Sequence, residues 1–144
     1  MTDIKSLEER IEIIPRKKIE DNRGWFLKVI TGKEHGLPAY TGEIYTVFSE
    51  NGASRGGHYH INATEWFTIL QGKSILVLFD VHTQEKLTIL LDINEPKTIV
   101  VPPYVAHRFD AVLEGPFLLL AYTNKLYKSE DTFPFEIDYN DYNE

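Results

Sequence analysis

The sequence predicts an all-β domain, a sandwich or small barrel with little helix. Three observations carry this. Short apolar runs rich in β-branched and aromatic residues recur from Trp25 onward. Turn chemistry separates them at Asn51-Gly52, Gln71-Gly72, Asn94-Glu95-Pro96 and Glu114-Gly115-Pro116. Helical periodicity is nearly absent. Several short strands at this spacing indicate a sandwich or barrel.

Taken in order, residues 6–13 have room for a helical turn or two, although the alternation of Ile11 and Ile13 equally starts a strand. The predicted strands then cover 25–30, 43–48, 65–70, 74–81, 86–91, 98–101 and 117–123. Gln71-Gly72-Lys73 between two apolar runs predicts a hairpin connection. The tail from Lys128 is acidic, and residues 138–144 are expected to fray. No repeat or linker interrupts the 144 residues, which read as one domain over 1–144.

Charge and composition narrow the function. There are 22 acidic and 15 basic residues, a net charge of −7. A basic nucleic-acid footprint and a polybasic membrane patch are both excluded, so neither partner is expected. Local basic sites for a phosphorylated small molecule remain compatible. The absence of cysteine excludes disulfides, thiolate catalysis and cysteine zinc fingers, and suits a reducing compartment. The first residues carry charges throughout rather than an apolar signal region. No run approaches the roughly 18 apolar residues of a membrane span. A soluble, cytoplasmic protein is expected.

Five histidines are present: His35, His58, His60, His82 and His107. On a strand, residues two apart share a face, so His58 and His60 aim two imidazoles at one volume. Glu65 opens the run Trp66-Phe67-Thr68-Ile69-Leu70 and shares its parity with Phe67 and Ile69. A carboxylate on that inward face is costly unless paired or coordinated. With the remote His107, these residues form a candidate site of three nitrogens and one oxygen for a divalent metal. By spacing alone the alternative stays open: a surface histidine pair and an ordinary strand-opening glutamate. His35 and His82 lie in turn-like contexts and read as surface residues.

The segment from Gly52 through His58, His60 and Glu65 to Gly72 matches the first cupin motif at every fixed position. Pro102 and His107 have the separation of the second motif, with Tyr104 where that pattern has glycine and its later asparagine absent. The chain thus resembles the cupins, small double-sheet barrels of the jelly-roll type. That resemblance implies that His58, His60, Glu65 and His107 are metal ligands at the barrel mouth. Zinc is the expected metal, with iron, manganese and nickel as alternatives.

Three further segments resemble the dTDP-4-dehydrorhamnose 3,5-epimerase family. The first is Asp21-Asn22-Arg23-Gly24-Trp25-Phe26-Leu27-Lys28, with Lys28 where the family has glutamate. The second is Arg55-Gly56-Gly57-His58, and the third runs from Leu119 through Tyr122 to Tyr127 and Lys128. The resemblance implies His58 as the base that removes a proton beside a ketone, Tyr122 as the acid, and Arg55 as a phosphate contact. Arg suits phosphate because its planar fork binds oxygens bidentately. Arg23 and Lys28 add charge near the entrance.

The pieces Gly42-Glu43-Ile44-Tyr45, Glu65-Trp66-Phe67, Gln71-Gly72-Lys73 and Asp131-Thr132 further resemble the zinc-binding C-terminal cupin domain of the bifunctional capsular-sugar epimerase/reductase. That domain epimerises C3 of a UDP-4-keto-6-deoxy amino sugar. The expected activity is therefore C3, or C3 and C5, epimerisation of a UDP- or dTDP-linked 4-keto-6-deoxy sugar through an enolate. A dTDP-sugar 3,4-ketoisomerase is one alternative, and a metal-dependent cupin oxygenase or a non-catalytic sugar-binding cupin another.

Two tensions follow. A coordinated imidazole nitrogen has no free lone pair, so His58 cannot be ligand and base through the same atom. If it is a ligand, Tyr122, Tyr59 or Tyr104 would shuttle protons, with Tyr104 also placed against substrate. Arg55 stands an odd number of residues from His58, which ideal alternation aims at the opposite face. Gly56-Gly57 can break that alternation through a bulge. A homodimer is expected, with residues 21–26 reaching the partner and hiding edge strands.

Overall fold

The computed structural model describes residues 5–22, 24–27, 29–31, 33–37, 42–50, 52–112 and 115–137. Arg23, Lys28 and the acidic tail at 138–144 lie outside them. The chain opens with a one-turn helix, α1 (Leu7–Arg10). Ser6 caps it, its Oγ accepting from Glu9 N at 3.2 Å while Glu9 Oε1 accepts from Ser6 N at 3.1 Å, a reciprocal capping box. The strands that follow are β1 (Glu12–Pro15), β2 (Lys18–Asp21), β3 (Gly24–Leu27), β4 (Glu43–Ser49), β5 (Ser54–Tyr59) and β6 (Glu65–Gln71). After them come β7 (Lys73–Asp80), β8 (Lys86–Asp92), β9 (Lys97–Val101), β10 (Val105–Ala111), β11 (Phe117–Thr123) and the short β12 (Phe133–Pro134).

Two five-stranded sheets face each other, in the orders β1-β9-β6-β11-β4 and β12-β5-β10-β7-β8. Every strand pairing within each sheet is antiparallel. This is the double-sheet cupin barrel that the sequence predicts. Alternate residues fill its interior: Phe67, Ile69 and Leu119 from one sheet, Leu76, Leu78 and Phe109 from the other, with Leu7 of α1 closing one side. Burying such side chains contributes roughly 1.5–3 kcal/mol each before entropy is counted. β2 and β3 form a separate two-stranded ribbon. No helix among the described residues is long and apolar enough to cross a membrane.

The structure corrects the hairpin expected at Gln71-Gly72-Lys73. β6 and β7 belong to different sheets, so Gly72 turns a corner between layers. Its φ of +78° is left-handed, and a Cβ there would collide with the Pro116 carbonyl oxygen.

The outer face of the first sheet is partly covered. Thr68 and Thr98 are buried there, with their hydroxyls 2.9 Å apart. Arg16 reaches over them, donating from Nε to Thr98 Oγ1 at 3.0 Å and pairing with Glu34 at 2.7 Å. This pair holds the segment around Val29–Glu34 against the sheet, since Arg16 Nη2 also donates to the Val29 carbonyl at 2.7 Å.

Candidate active site

A bulge in β5 builds the site. His107 of β10 lies opposite His58, but Arg108 lies opposite Gly56, so Gly57 is the extra residue. Gly56 and Gly57 have φ of +96° and +85°, and a Cβ on Gly56 would meet the His107 carbonyl oxygen at 2.7 Å. Only glycine fits this close backbone approach. The bulge brings His58 and His107 together edge to face, with ring centroids 4.8 Å apart. His60 follows just beyond β5, 5.2 Å from His58 and 5.9 Å from His107.

The opposing sheet supplies the carboxylate. Glu65 lies opposite Thr123 of β11, which lies opposite Glu43 of β4. This row crosses three strands on the inward face. Glu65 Oε1 is 2.9 Å from His60 Nε2 and 3.5 Å from His107 Nε2. Its other oxygen accepts from the Tyr45 hydroxyl at 2.6 Å. His60 is held from behind, its Nδ1 2.7 Å from the Asp131 carbonyl oxygen. The acceptor there requires Nδ1–H, which leaves Nε2 as the lone-pair nitrogen facing Glu65 in a neutral ring.

The electrostatics follow from burial and pairing. Burial alone would raise the Glu65 pKa, but the His60 and His107 imidazoles and the Tyr45 hydroxyl overcome it and hold the carboxyl at about 2. Burial pushes His107 down to about 4, against the pull of Glu65. Burial and the neighbouring His60 also lower His58. Burial opposes charge on His60, yet Glu65 and the Asp131 carbonyl outweigh it and raise its pKa. Burial, then the Glu65 charge, lift the Tyr45 phenol above its ordinary value.

His58, His60 and Glu65 of the cluster form one wall of a cavity of about 300 Å³. β4 contributes Glu43 and Tyr45, and the segment after β11 contributes Lys125 to Lys128, Asp131 and Thr132. That segment is a strap. Asn124 exchanges bonds with Thr64, its Oδ1 accepting from Thr64 N at 2.9 Å. Tyr127 N donates to Glu43 Oε1 at 2.9 Å, and Asp131 Oδ1 accepts from Ile61 N and Asn62 N at 2.8 and 3.0 Å.

The four predicted ligands therefore converge, while Tyr122, Tyr59, Tyr104 and Arg55 do not join them. Tyr122 is 6% exposed and packs on Trp66 at 5.3 Å. Its neighbour Thr123 faces the cavity, so strand alternation sends Tyr122 to the outer face. Tyr59 sits between His58 and His60 and points the other way, stacking on Phe133 at 5.3 Å. Tyr104 packs against His82, their tilted rings 4.6 Å apart, outside the cavity, although its backbone N donates to the His60 carbonyl at 2.7 Å. Its φ of +67° is the left-handed conformation that glycine supplies in the second cupin motif. The bulge does place Arg55 opposite inward-facing Phe109. Its guanidinium, however, donates to the Phe48 carbonyl at 2.9 Å, bridging the two sheet edges rather than lining the cavity. Arg23 and Lys28 fall outside the described residues.

Sequence reasoning passed over Tyr45, Asp131, Lys125 and Lys128 as site residues. The signals for Tyr45 were its place in the Gly42-Glu43-Ile44-Tyr45 resemblance and its spacing of two from Glu43 on a predicted strand. The strap residues are brought to the mouth by a loop that periodicity does not read.

The donor set fits a divalent metal. Ligand nitrogens of His58, His60 and His107 all lie within 4.8 Å of one another. Glu65 Oε1 is fully buried, and no donor meets it with the alignment of a hydrogen bond; the 2.9 Å approach of His60 is a contact between two lone-pair-bearing atoms whenever the ring is neutral. A cation between them would satisfy that oxygen and the imidazole nitrogens together.

Residues 19–133 match the family described as polysaccharide biosynthesis C-terminal domain. A curated relative, the spore coat polysaccharide biosynthesis protein SpsL of Bacillus subtilis (strain 168), is 23% identical over 129 residues, covering 86% of this chain and 85% of its own. Among solved structures, a dTDP sugar isomerase from Desulfovibrio desulfuricans G20 superposes with a TM-score of 0.83 at 18% identity, covering 91% of this chain and 87% of that one. The capsular polysaccharide assembling protein CapF of Staphylococcus aureus superposes with a TM-score of 0.64 at 19% identity, covering 85% of this chain and 35% of that one. The shared fold agrees with the epimerase and capsular-sugar resemblances read from the motifs.

Proposed function

Because the chain belongs to the polysaccharide biosynthesis C-terminal domain family, we propose that it is an isomerase of nucleotide-sugar biosynthesis, epimerising a UDP- or dTDP-linked 4-keto-6-deoxy sugar at C3. The observation that carries this reading is the imidazole–carboxylate cluster on the wall of a sugar-sized cavity, with the Tyr45 phenol bonded into it at 2.6 Å. The likeness in fold to a dTDP sugar isomerase and to a capsular polysaccharide protein supports it.

The chemistry starts at a C–H bond beside the ketone. A base removes that proton, the electrons move into the carbonyl to give an enolate, and a proton returned to the other face inverts the carbon. In this reading His58, His60, Glu65 and His107 hold a divalent metal, zinc first, which when bound supplies a Lewis acid for the ketone oxygen. His58 is then a ligand, and the base must be another cavity residue. Glu43 and Tyr45, two apart on β4 and both facing the cavity, are the base and the acid. Tyr45 keeps its proton at neutral pH because burial and Glu65 raise its pKa, so the phenol enters the cycle protonated. Proton return to a neighbouring atom instead would give a ketoisomer from the same residues. The working form is a cytoplasmic homodimer.

Two measurements on protein purified without chelator test this reading. Elemental analysis should give close to one metal per chain. Incubation with a panel of UDP- and dTDP-4-keto-6-deoxy sugars should give a C3 epimer by NMR. A metal-free protein that still epimerises would return the base role to His58. Failure to convert any of the panel overturns the proposal.

A further inference from the structure

We propose that Lys125 and Lys128, on the strap after β11, form the seat for the diphosphate of the nucleotide sugar. This rests on the nucleotide-sugar reading above and says where the anionic part of that ligand lies. Beside the histidine-lined cavity is a second one of about 440 Å³, lined by Gly42, Asn62 and Asn124 and sharing Lys125, Leu126, Lys128 and Asp131 with the first. The strap is thus a ridge between two chambers. Together they have the size of ordinary small-molecule sites, roughly 300–1,000 Å³. A nucleotide sugar has two bulky ends joined by a diphosphate, and with its keto sugar against the histidines its linker crosses the ridge.

The ridge carries the right charge. Lys125 and Lys128 are the only cations among the described residues that line either chamber. Both are exposed, and neither ammonium has a carboxylate within 4 Å among the described residues. Other cations are committed elsewhere: Arg10 to Asp80, Arg16 to Glu34 and Arg55 to the Phe48 carbonyl. The acids of the first chamber bond to groups other than these lysines. Glu65 belongs to the cluster, Glu43 accepts from Tyr127 N, and Asp131 accepts from Ile61 N and Asn62 N. In a chain of net charge −7, an anionic ligand needs such a local reversal of sign. The strap's bonds through Asn124, Tyr127 and Asp131 fix the backbone beneath the two lysines, so they are presented rather than trailing.

Calorimetric titration with UDP, dTDP, uridine and thymidine tests the seat, using wild type, Lys125→Ala, Lys128→Ala, the double variant and Lys73→Ala as a remote control. Each strap substitution should weaken diphosphate binding roughly 10-fold and the pair roughly 100-fold. Nucleoside binding, metal content and the Lys73→Ala titration should be unchanged. A double variant that binds UDP and dTDP as tightly as wild type overturns the seat and leaves the substrate reading intact. Equal losses for nucleosides and diphosphates also overturn it, since the lysines would then shape the chamber rather than hold phosphate. Wild type that binds neither diphosphate overturns the substrate reading and the seat with it.

Discussion

Asp131 holds His60 from behind: its main-chain carbonyl oxygen lies 2.7 Å from His60 Nδ1. The same residue's carboxylate collects Ile61 N and Asn62 N, so one buried side chain fixes the turn that follows His60. Outer partners of this kind set a ligand's tautomer and ring orientation.

Asp131→Ala should therefore lower metal affinity roughly 10- to 100-fold without removing a ligand. Competition with a chromogenic chelator measures this. Affinity equal to wild type would mean that the carbonyl alone positions His60.

Tyr45→Phe should lower turnover roughly 10²- to 10⁴-fold, the usual share of a general acid. Tyr122→Phe should leave turnover near wild type, because Tyr122 packs on Trp66 outside the cavity. Steady-state rates of the two variants decide between them, and the reverse order would restore the role that resemblance gave to Tyr122.

The parity of β11 is what places Tyr122 off the cavity. Register opposite Glu65 sends Thr123 inward and Tyr122 outward, and sequence alone does not fix that register. Strands with continuous apolar or β-branched runs were legible: the runs at 43–48, 65–70, 86–91 and 117–123 match β4, β6, β8 and β11 to within a residue. β5 and β10 were not read as apolar runs. β5 begins Ser54-Arg55-Gly56-Gly57, and β10 contains His107, Arg108 and Asp110. Those strands carry the clustered histidines and a bulge where others carry Val and Leu. The convergence of His58 and His60 was legible because their spacing is local, two residues on one strand face, whereas Glu65 and the remote His107 were joined to them through the cupin motif spacing. The cavity wall from the strap was not legible, since it depends on long-range closure at Thr64 and Glu43.

Stability should depend on pH through Glu34, whose carboxyl is held at about 2: burial opposes this, and Thr31 and Arg16 outweigh it. A lowered folded pKa gives stability that is present above the ordinary carboxyl value and is lost as pH falls through about 4.5 toward 2. Glu34→Gln should cost roughly 1.5–3 kcal/mol at neutral pH and flatten that acid limb. Urea midpoints across pH 2–7 measure both, and an unchanged acid limb would assign the pH dependence to other carboxyls.

Gly72→Ala should destabilise by about 2–4 kcal/mol, combining left-handed strain with the collision against Pro116. Gly36→Ala is the control: its φ is +84° but nothing lies within 4 Å of a Cβ, so about 1–2 kcal/mol is expected. Equal losses in thermal or urea unfolding would mean that the layer-to-layer corner tolerates a side chain.

The central claim is that the cluster around Glu65 supports proton exchange beside the ketone of a nucleotide sugar. Deuterium incorporation from D₂O, followed by NMR on a UDP- or dTDP-4-keto-6-deoxy sugar, measures it most directly. Wild type should incorporate deuterium at C3, and Glu65→Gln, which keeps the shape but removes the charge, should incorporate it at least 100-fold more slowly. Exchange in Glu65→Gln at the wild-type rate, or none in wild type with any sugar that binds, would contradict the account.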